Sequence, residues 1–140
     1  MAITQALCTT YKSELLNKEH DMDTDSFKIA LYTSSATLDA TTTAYTVTNE
    51  ISGTGYSAGG VALTGGAIAV SGTTAFVDFT DPSWTTATFT ARGALIYNDT
   101  HASDAAVLVL DFGGDFTVTS GTFTIQFPAA DASNALIRLA

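Results

Sequence analysis

The DMDTDSF segment at 21–27 sets carboxylates at alternate positions, which is how a loop begins to converge on a hard cation such as calcium. It departs from a calcium loop at the sixth position, Ser26, where a glycine turns the chain. It departs again at the twelfth, Tyr32, where a bidentate glutamate is needed. Its carboxylates therefore read as part of a solvated acidic connector, Asn17 to Asp25, that also contains His20. GTGYSAGG at 53–60 is glycine-rich, but three residues separate its second and third glycines. The strand-like VALT follows it, where an anion site needs a helix N-terminus. A flexible loop or turn is expected there.

His20 and His101 are the only histidines. Each lies in a polar loop, so a zinc site would need two distant loops to converge with suitable carboxylates, and no ligand spacing calls for that. No serine stands in the G-x-S-x-G turn that strains and exposes a hydrolase nucleophile. Asp78, Asp81, Asp111 and Asp115 could supply paired carboxylates for glycoside cleavage, but their setting is that of strand ends, where aspartate makes turns and keeps edges soluble. Trp84 and Tyr56 could form a sugar-stacking platform, a role less common for such residues than core or interface. Asn98-Asp99-Thr100 is a glycosylation sequon and marks a surface loop. Cys8 is the single cysteine, which excludes an internal disulfide, and it reads as a buried structural thiol. These residues point to a structural or binding protein and not an enzyme, with no catalytic residue, cofactor or metal expected.

The elements that position these residues are legible from periodicity. Ile3, Leu7, Tyr11 and Leu15 with Leu16 recur at helical spacing, with Lys12, Glu14 and Lys18 off the stripe, which predicts an amphipathic helix of about four turns within 1–18. From Phe27 the period becomes two. Strands are expected at 27–33, 44–50, 74–80, 87–99, 105–113 and 135–140, with a hairpin at 61–72 turning on Gly65 and Gly66 and another at 116–127 turning near Gly121. The run from Ala105 should be a central strand buried on both faces, and Gly93 should mark a bulge or a close backbone approach. The result is an all-β fold, a jelly-roll-like β-sandwich of about eight strands at 27–140 behind a short N-terminal α-helix.

Size and composition agree. The chain of 140 residues and 14.5 kDa is one domain, 1–140. Serine and threonine make up roughly a quarter of it, and β-branched threonine suits a half-buried strand. Its formal charge of -9 and five scattered basic residues argue against nucleic-acid binding, which needs clustered Lys and Arg. The longest apolar run, Ala105 to Leu110, is too short to cross a bilayer. The N-terminal residues lack the basic and apolar regions of a secretory signal, so a cytoplasmic product is expected.

FKIALYTSSATLDATTTAY, NEISGTGYSAGG, TAFVDFTDPSW, TARGALIYND, VLDFGGD and PAADASNALIRLA together resemble a family of small structural proteins of tailed bacteriophages, the cement (head decoration) proteins of short-tailed phages. The resemblance covers nearly the whole chain. It implies a jelly-roll sandwich on the outer surface of the capsid that clamps adjacent major capsid protein subunits and pairs with itself as a homodimer. It brings no catalytic residue, and no nucleic acid or membrane is implied as a partner. The apolar stripe Ile3, Leu7, Tyr11 and Leu15 must cover either its own sheet or a neighbour, and it is the candidate capsid or self interface. The alternative is a tail or receptor-binding module that recognises a glycan or surface protein through loop aromatics such as Tyr56 and Trp84.

Overall fold

Alternating apolar and polar residues from Phe27 onward build two antiparallel sheets. A computed structural model describes residues 2–140. The larger sheet contains β1 (Ala6–Leu7), β2 (Phe27–Tyr32), β3 (Val61–Ala62), β6 (Ser83–Asn98) and β7 (Ala106–Thr124), in the order β1-β7-β6-β2-β3. The smaller contains β4 (Ala67–Ser71), β5 (Thr74–Asp78) and β8 (Ile137–Leu139), in the order β4-β5-β8. One short helix, α1 (Thr9–Leu16), precedes β2. The fold is mostly β.

β2 and the adjoining half of β6 hold the core. Ile29, Ala30, Leu31, Tyr32, Leu95 and Ile96 are fully buried, and Val107 and Val109 of β7 join them. Val77 and Ile137 of the smaller sheet belong to the same cluster. The strand expected at 105–113 lies in β7, which is interior between β1 and β6 and runs on to Thr124, and its buried part ends at Val109. Gly93 behaves as anticipated: the β6–β7 register shifts between Ala91 and Gly93, and a Cβ there would meet the Leu110 carbonyl at 2.6 Å and Ile3 Cδ1 at 2.8 Å.

The structure corrects four local expectations. The helix has eight residues and about two turns. Ala6 and Leu7 instead pair with Val109 and Leu108 across the β7 edge, and the Thr4 N–H donates to the Leu38 carbonyl, so Ile3 and Leu7 lie on extended chain. Backbone pairing to a sheet edge outweighs the helical spacing of a segment whose β-branched Ile3 and Thr4 are weak helix formers. The segment 44–50 forms only isolated bridges, Ala44 to Ala105 and Glu50 to Tyr32, because Asn49 turns at φ +62° and the Tyr45 and Glu50 side chains face inward.

Residues 61–72 are not a hairpin. Val61 and Ala62 pair with β2, whereas 67–71 pairs with β5, and Gly65 and Gly66 carry the chain between sheets, where Thr80 and Phe79 lie too close for a side chain. The 116–127 segment does not turn at Gly121 either. β7 runs through it, with Gly121 opposite Ala87 among register shifts, so this glycine serves a bulge. The 53–60 loop is packed tightly: Gly60 has φ +79°, and any Cβ would overlap the Ile29 carbonyl.

Candidate functional site

Three groupings concentrate side chains with functional potential. The first gathers both histidines, at the end of β6. Asn98 is 0% exposed, and its amide makes four hydrogen bonds. Its Nδ2 donates to His20 Nδ1 at 2.9 Å and to Asp25 Oδ2 at 2.8 Å, and its Oδ1 accepts from the Thr100 N–H at 2.9 Å and the His101 N–H at 3.2 Å. Because Nδ1 of His20 accepts, the ring proton sits on Nε2, which donates to Glu14 Oε1 at 3.0 Å. His101 follows the same logic: Nδ1 accepts from the Ser103 N–H at 3.1 Å, and Nε2 donates to Glu19 Oε1 at 3.1 Å. The two rings stack at 5.6 Å.

The two loops thus converge with carboxylates, which histidine spacing did not indicate, and ligand atoms of Glu14, Glu19 and His101 lie within 4.8 Å of one another. A metal at His101 Nε2 would need a lone pair there and a proton on Nδ1, which faces the Ser103 N–H donor. The hydrogen bonding therefore opposes metal binding and closes the cluster as a structural lock. The acidic connector is only partly solvated. His20 and Met22 are buried, and Asp25 is drawn into the lock. Asp21 accepts from the Asp23 and Thr24 N–H groups, and the first of these holds its carboxyl below the usual range. The sequon does mark a surface loop at Asp99 and Thr100, which are exposed, but Asn98 itself lies inside the protein, where it ties His20 and Asp25 to the loop that follows β6.

The second grouping surrounds Glu50. Its Oε1 accepts from the Tyr45 hydroxyl at 2.6 Å, and its Oε2 accepts from the Tyr56 hydroxyl and from the Gly59 N–H at 2.8 Å. Tyr97 donates to the Gly59 carbonyl at 2.7 Å and stacks on Tyr45 at 4.7 Å, and Tyr32 donates to the Thr46 carbonyl at 2.7 Å. Four tyrosines and one carboxylate clamp 44–60 onto β2 and β6. A lone glutamate in the β region was the available sequence signal. Burial first, then the Glu50 hydrogen bond, pushes the Tyr45 and Tyr56 hydroxyls up. Burial also raises Tyr32 and Tyr97, and takes Tyr11 up to about 12.

All five tyrosines are thus held neutral beyond the ordinary value near 10. A group whose pKa is raised by folding contributes stability that is complete below its unfolded pKa and is lost as pH rises through its folded value. Absorbance at 295 nm should therefore stay flat through about pH 10.5 and then rise in one step together with unfolding. A smooth rise centred near pH 10 in protein that stays folded would contradict the clamp.

The third grouping is an apolar face of the smaller sheet. Cross-strand register places Ile68, Val77 and Ile137 in one row and Val70, Ala75 and Leu139 in the next, all on one face. Tyr11 and Leu15 of α1 meet this face around a groove of about 100 Å³. Val77 and Ile137 are buried beneath the cover, but Ile68 is 52%, Val70 70% and Leu139 55% exposed, and Leu16 nearby in sequence is 90% exposed. All five residues of β4 are exposed.

The residues singled out in the sequence are distributed as follows. Ile3 and Tyr11 are buried in the chain's own core, while Leu7 and Leu15 are half-buried against it. Trp84 is buried with Phe89 and Phe123, and Tyr56 is committed to Glu50. Asp81 accepts from the Phe127 N–H, and Asp111 accepts from the Gly113 N–H and faces Arg92 at 3.4 Å. Asp78 lies in β5, and Asp115 lies on an exposed part of β7. A cleft of about 510 Å³ beside the β7 edge has Asp111 as the one ionisable residue in its lining. Cys8 is buried, and burial, then the charges of Asp39 and Glu14, push its thiol up to about 11. No helix among the described residues is long and apolar enough to cross a membrane. Comparisons with protein-family models, curated proteins and solved structures find no significant match.

Proposed function

We propose that the chain is a bacteriophage head decoration (cement) protein: a jelly-roll-like β-sandwich that binds the outer surface of the head and clamps adjacent major capsid protein subunits against internal DNA pressure. The observation that carries this reading is the open apolar surface of the smaller sheet, where Ile68, Val70 and Leu139 are exposed on one continuous face. Monomeric soluble proteins rarely leave such a face uncovered unless it binds something. The resemblance of the sequence to the cement proteins supplies the partner. Return of β8 beside β5, and of β6 beside β2 after long excursions, supports the jelly-roll part of the proposal.

The mechanism is differential binding. A protein that holds the assembled arrangement more tightly than separated subunits stabilises the assembly by mass action. A self-associated pair binds twice, and its second contact is intramolecular, with an effective concentration on the order of millimolar. A charge of -9 keeps such a protein off packaged DNA. Burial of Trp84 and the commitment of half-buried Tyr56 to Glu50 count against those two aromatics as contacts of a receptor-binding module. Adding the protein to heads stripped of it tests the proposal: their melting temperature is expected to rise with occupancy, and an unchanged temperature overturns it.

A further inference from the structure

We propose that the cleft beside the β7 edge is a binding site for a neutral saccharide, with its apolar wall against one face of a sugar ring and its polar side chains on the ring hydroxyls. The inference goes beyond the proposed function, because the cleft shares no residue with the exposed Ile68, Val70 and Leu139.

The cleft, about 510 Å³, falls within the range of about 300–1,000 Å³ that takes small organic ligands. Its lining is of two kinds. Leu7, Leu110, Phe112 and Phe127 are half-buried and make an apolar wall, whereas Gln5, Asp111, Gln126 and Asn134 bring polar groups. A second hollow of about 260 Å³ shares Phe112, Ile125 and Gln126 with it and continues over Phe116 and Phe123. Phe112 stands edge-on to Phe116 at 6.2 Å and lies 6.0 Å from Phe123, so the joined groove is lined by a cluster of aromatic rings.

Electrostatics narrow the ligand. The Oδ1 of Asp111, the cleft's one ionisable residue, already accepts from the Gly113 N–H at 2.9 Å and faces Arg92 Nε at 3.4 Å. Among the described residues, no lysine, arginine or helix N-terminus lines the cleft as a phosphate would need, and one carboxylate is too few for a hard cation. The ligand is therefore uncharged.

The backbone argues against a docked strand. Ala6 pairs with Val109, and the Cys8 N–H donates to the Val107 carbonyl, so the odd-numbered residues here turn their backbone groups toward the β1 side. The next two donors of that series are already taken: the Asp111 N–H by Gln5 Oε1 at 3.2 Å, and the Gly113 N–H by Asp111 Oδ1. An edge capped by side chains offers these donors to no further strand.

What remains free belongs to side chains. Among the described residues, Gln5 Nε2, Asp111 Oδ2, Asn134 Oδ1 and the Gln126 amide make no hydrogen bond within the chain. The other end of Gln5 is held by the Asp111 N–H and that of Asn134 by Asp131, which orients the free ends. A sugar hydroxyl donates and accepts at once, so it satisfies an amide N–H and a carboxylate or amide oxygen together. Its ring carries a C–H face that covers a phenylalanine. A purely aliphatic ligand would leave the polar ends unpaired.

Nuclear magnetic resonance of the full chain with maltose, cellobiose and lactose tests the site. At about 10 mM sugar, at least one of the three is expected to receive saturation from phenylalanine protons and to shift the side-chain amides of Gln5, Gln126 and Asn134, with a Kd on the order of 1 mM. Gln126→Ala removes an exposed side chain with no partner in the fold and should weaken that binding about three- to tenfold. Phe112→Leu keeps an apolar side chain without the ring and should weaken it about tenfold. No response to any of the three sugars overturns the inference, and so does binding that neither variant alters. A blocked peptide of alternating valine and threonine is the competing occupant. If it shifts the Asp111 and Gly113 backbone amides and the sugars do not, the edge docks a strand and the inference falls.

Discussion

Replacing Asn98 with alanine is expected to destabilise the protein by about 3–5 kcal/mol, the largest loss of any single polar substitution in the chain. The side chain is wholly buried and spends its full hydrogen-bonding capacity on four partners from two separate loops. Truncation leaves His20 Nδ1, Asp25 Oδ2 and the Thr100 and His101 N–H groups to find new partners. A buried polar group left unpaired costs about 1–3 kcal/mol, and water entering the gap recovers part of the sum. Asn98→Asp is expected to be nearly as damaging at neutral pH. It keeps the acceptor for the two N–H groups but turns a second oxygen toward the lone pair of His20 and the carboxylate of Asp25. Urea titration of both variants measures the loss, and a change below about 1 kcal/mol in either would show that the lock contributes little.

Glu50→Ala ranks next, with an expected loss of about 3 kcal/mol. The Tyr45 and Tyr56 hydroxyls and the Gly59 N–H lose their acceptor together. Glu50→Gln should cost about half as much, since its carbonyl oxygen still accepts and its amide can donate to a tyrosine oxygen. The two variants also separate a clamp from simple burial. Removing the carboxylate takes away both an acceptor and a negative charge that oppose ionisation of Tyr45 and Tyr56, so their absorbance should begin to rise at lower pH than in the wild type. Unchanged stability with an unchanged tyrosine titration would contradict the clamp.

These two residues show what the sequence could and could not reveal. Period-two patterning exposed β2, and β-branched and aromatic composition bounded by turn residues exposed β5 and β6, because both are local properties of the strand. Gly93 was readable for a similar reason, since a glycine inside a strand signals something pressed against it. The N-terminal stripe misled because Ile3, Leu7, Tyr11 and Leu15 satisfy helical spacing while the β7 edge supplies stronger partners for Ala6 and Leu7. The turn-like glycines at 65, 66 and 121 misled because a glycine serves a crossing or a bulge as readily as a reversal.

The clusters around Asn98 and Glu50 were beyond local reading. His20 and Asn98 are 78 residues apart, and Glu50 was one acidic residue among polar neighbours. Only the closing of β2 against β6 brings their partners within reach. The open face of the smaller sheet was hidden in the same way. Ala67 to Ser71 has the pattern of any half-buried strand, and its full exposure follows from the sheet ending at β4 with no further strand beside it.

The central claim is that this chain acts by fastening other subunits together, and re-decoration of stripped heads addresses it most directly. On the proposed function, phage heads freed of the protein and then titrated with it should lose DNA at progressively higher temperature until sites on the exterior are filled, on the order of hundreds per head as shell symmetry requires. Heads that bind no protein, or that bind it and release DNA at the same temperature as bare ones, would contradict the account.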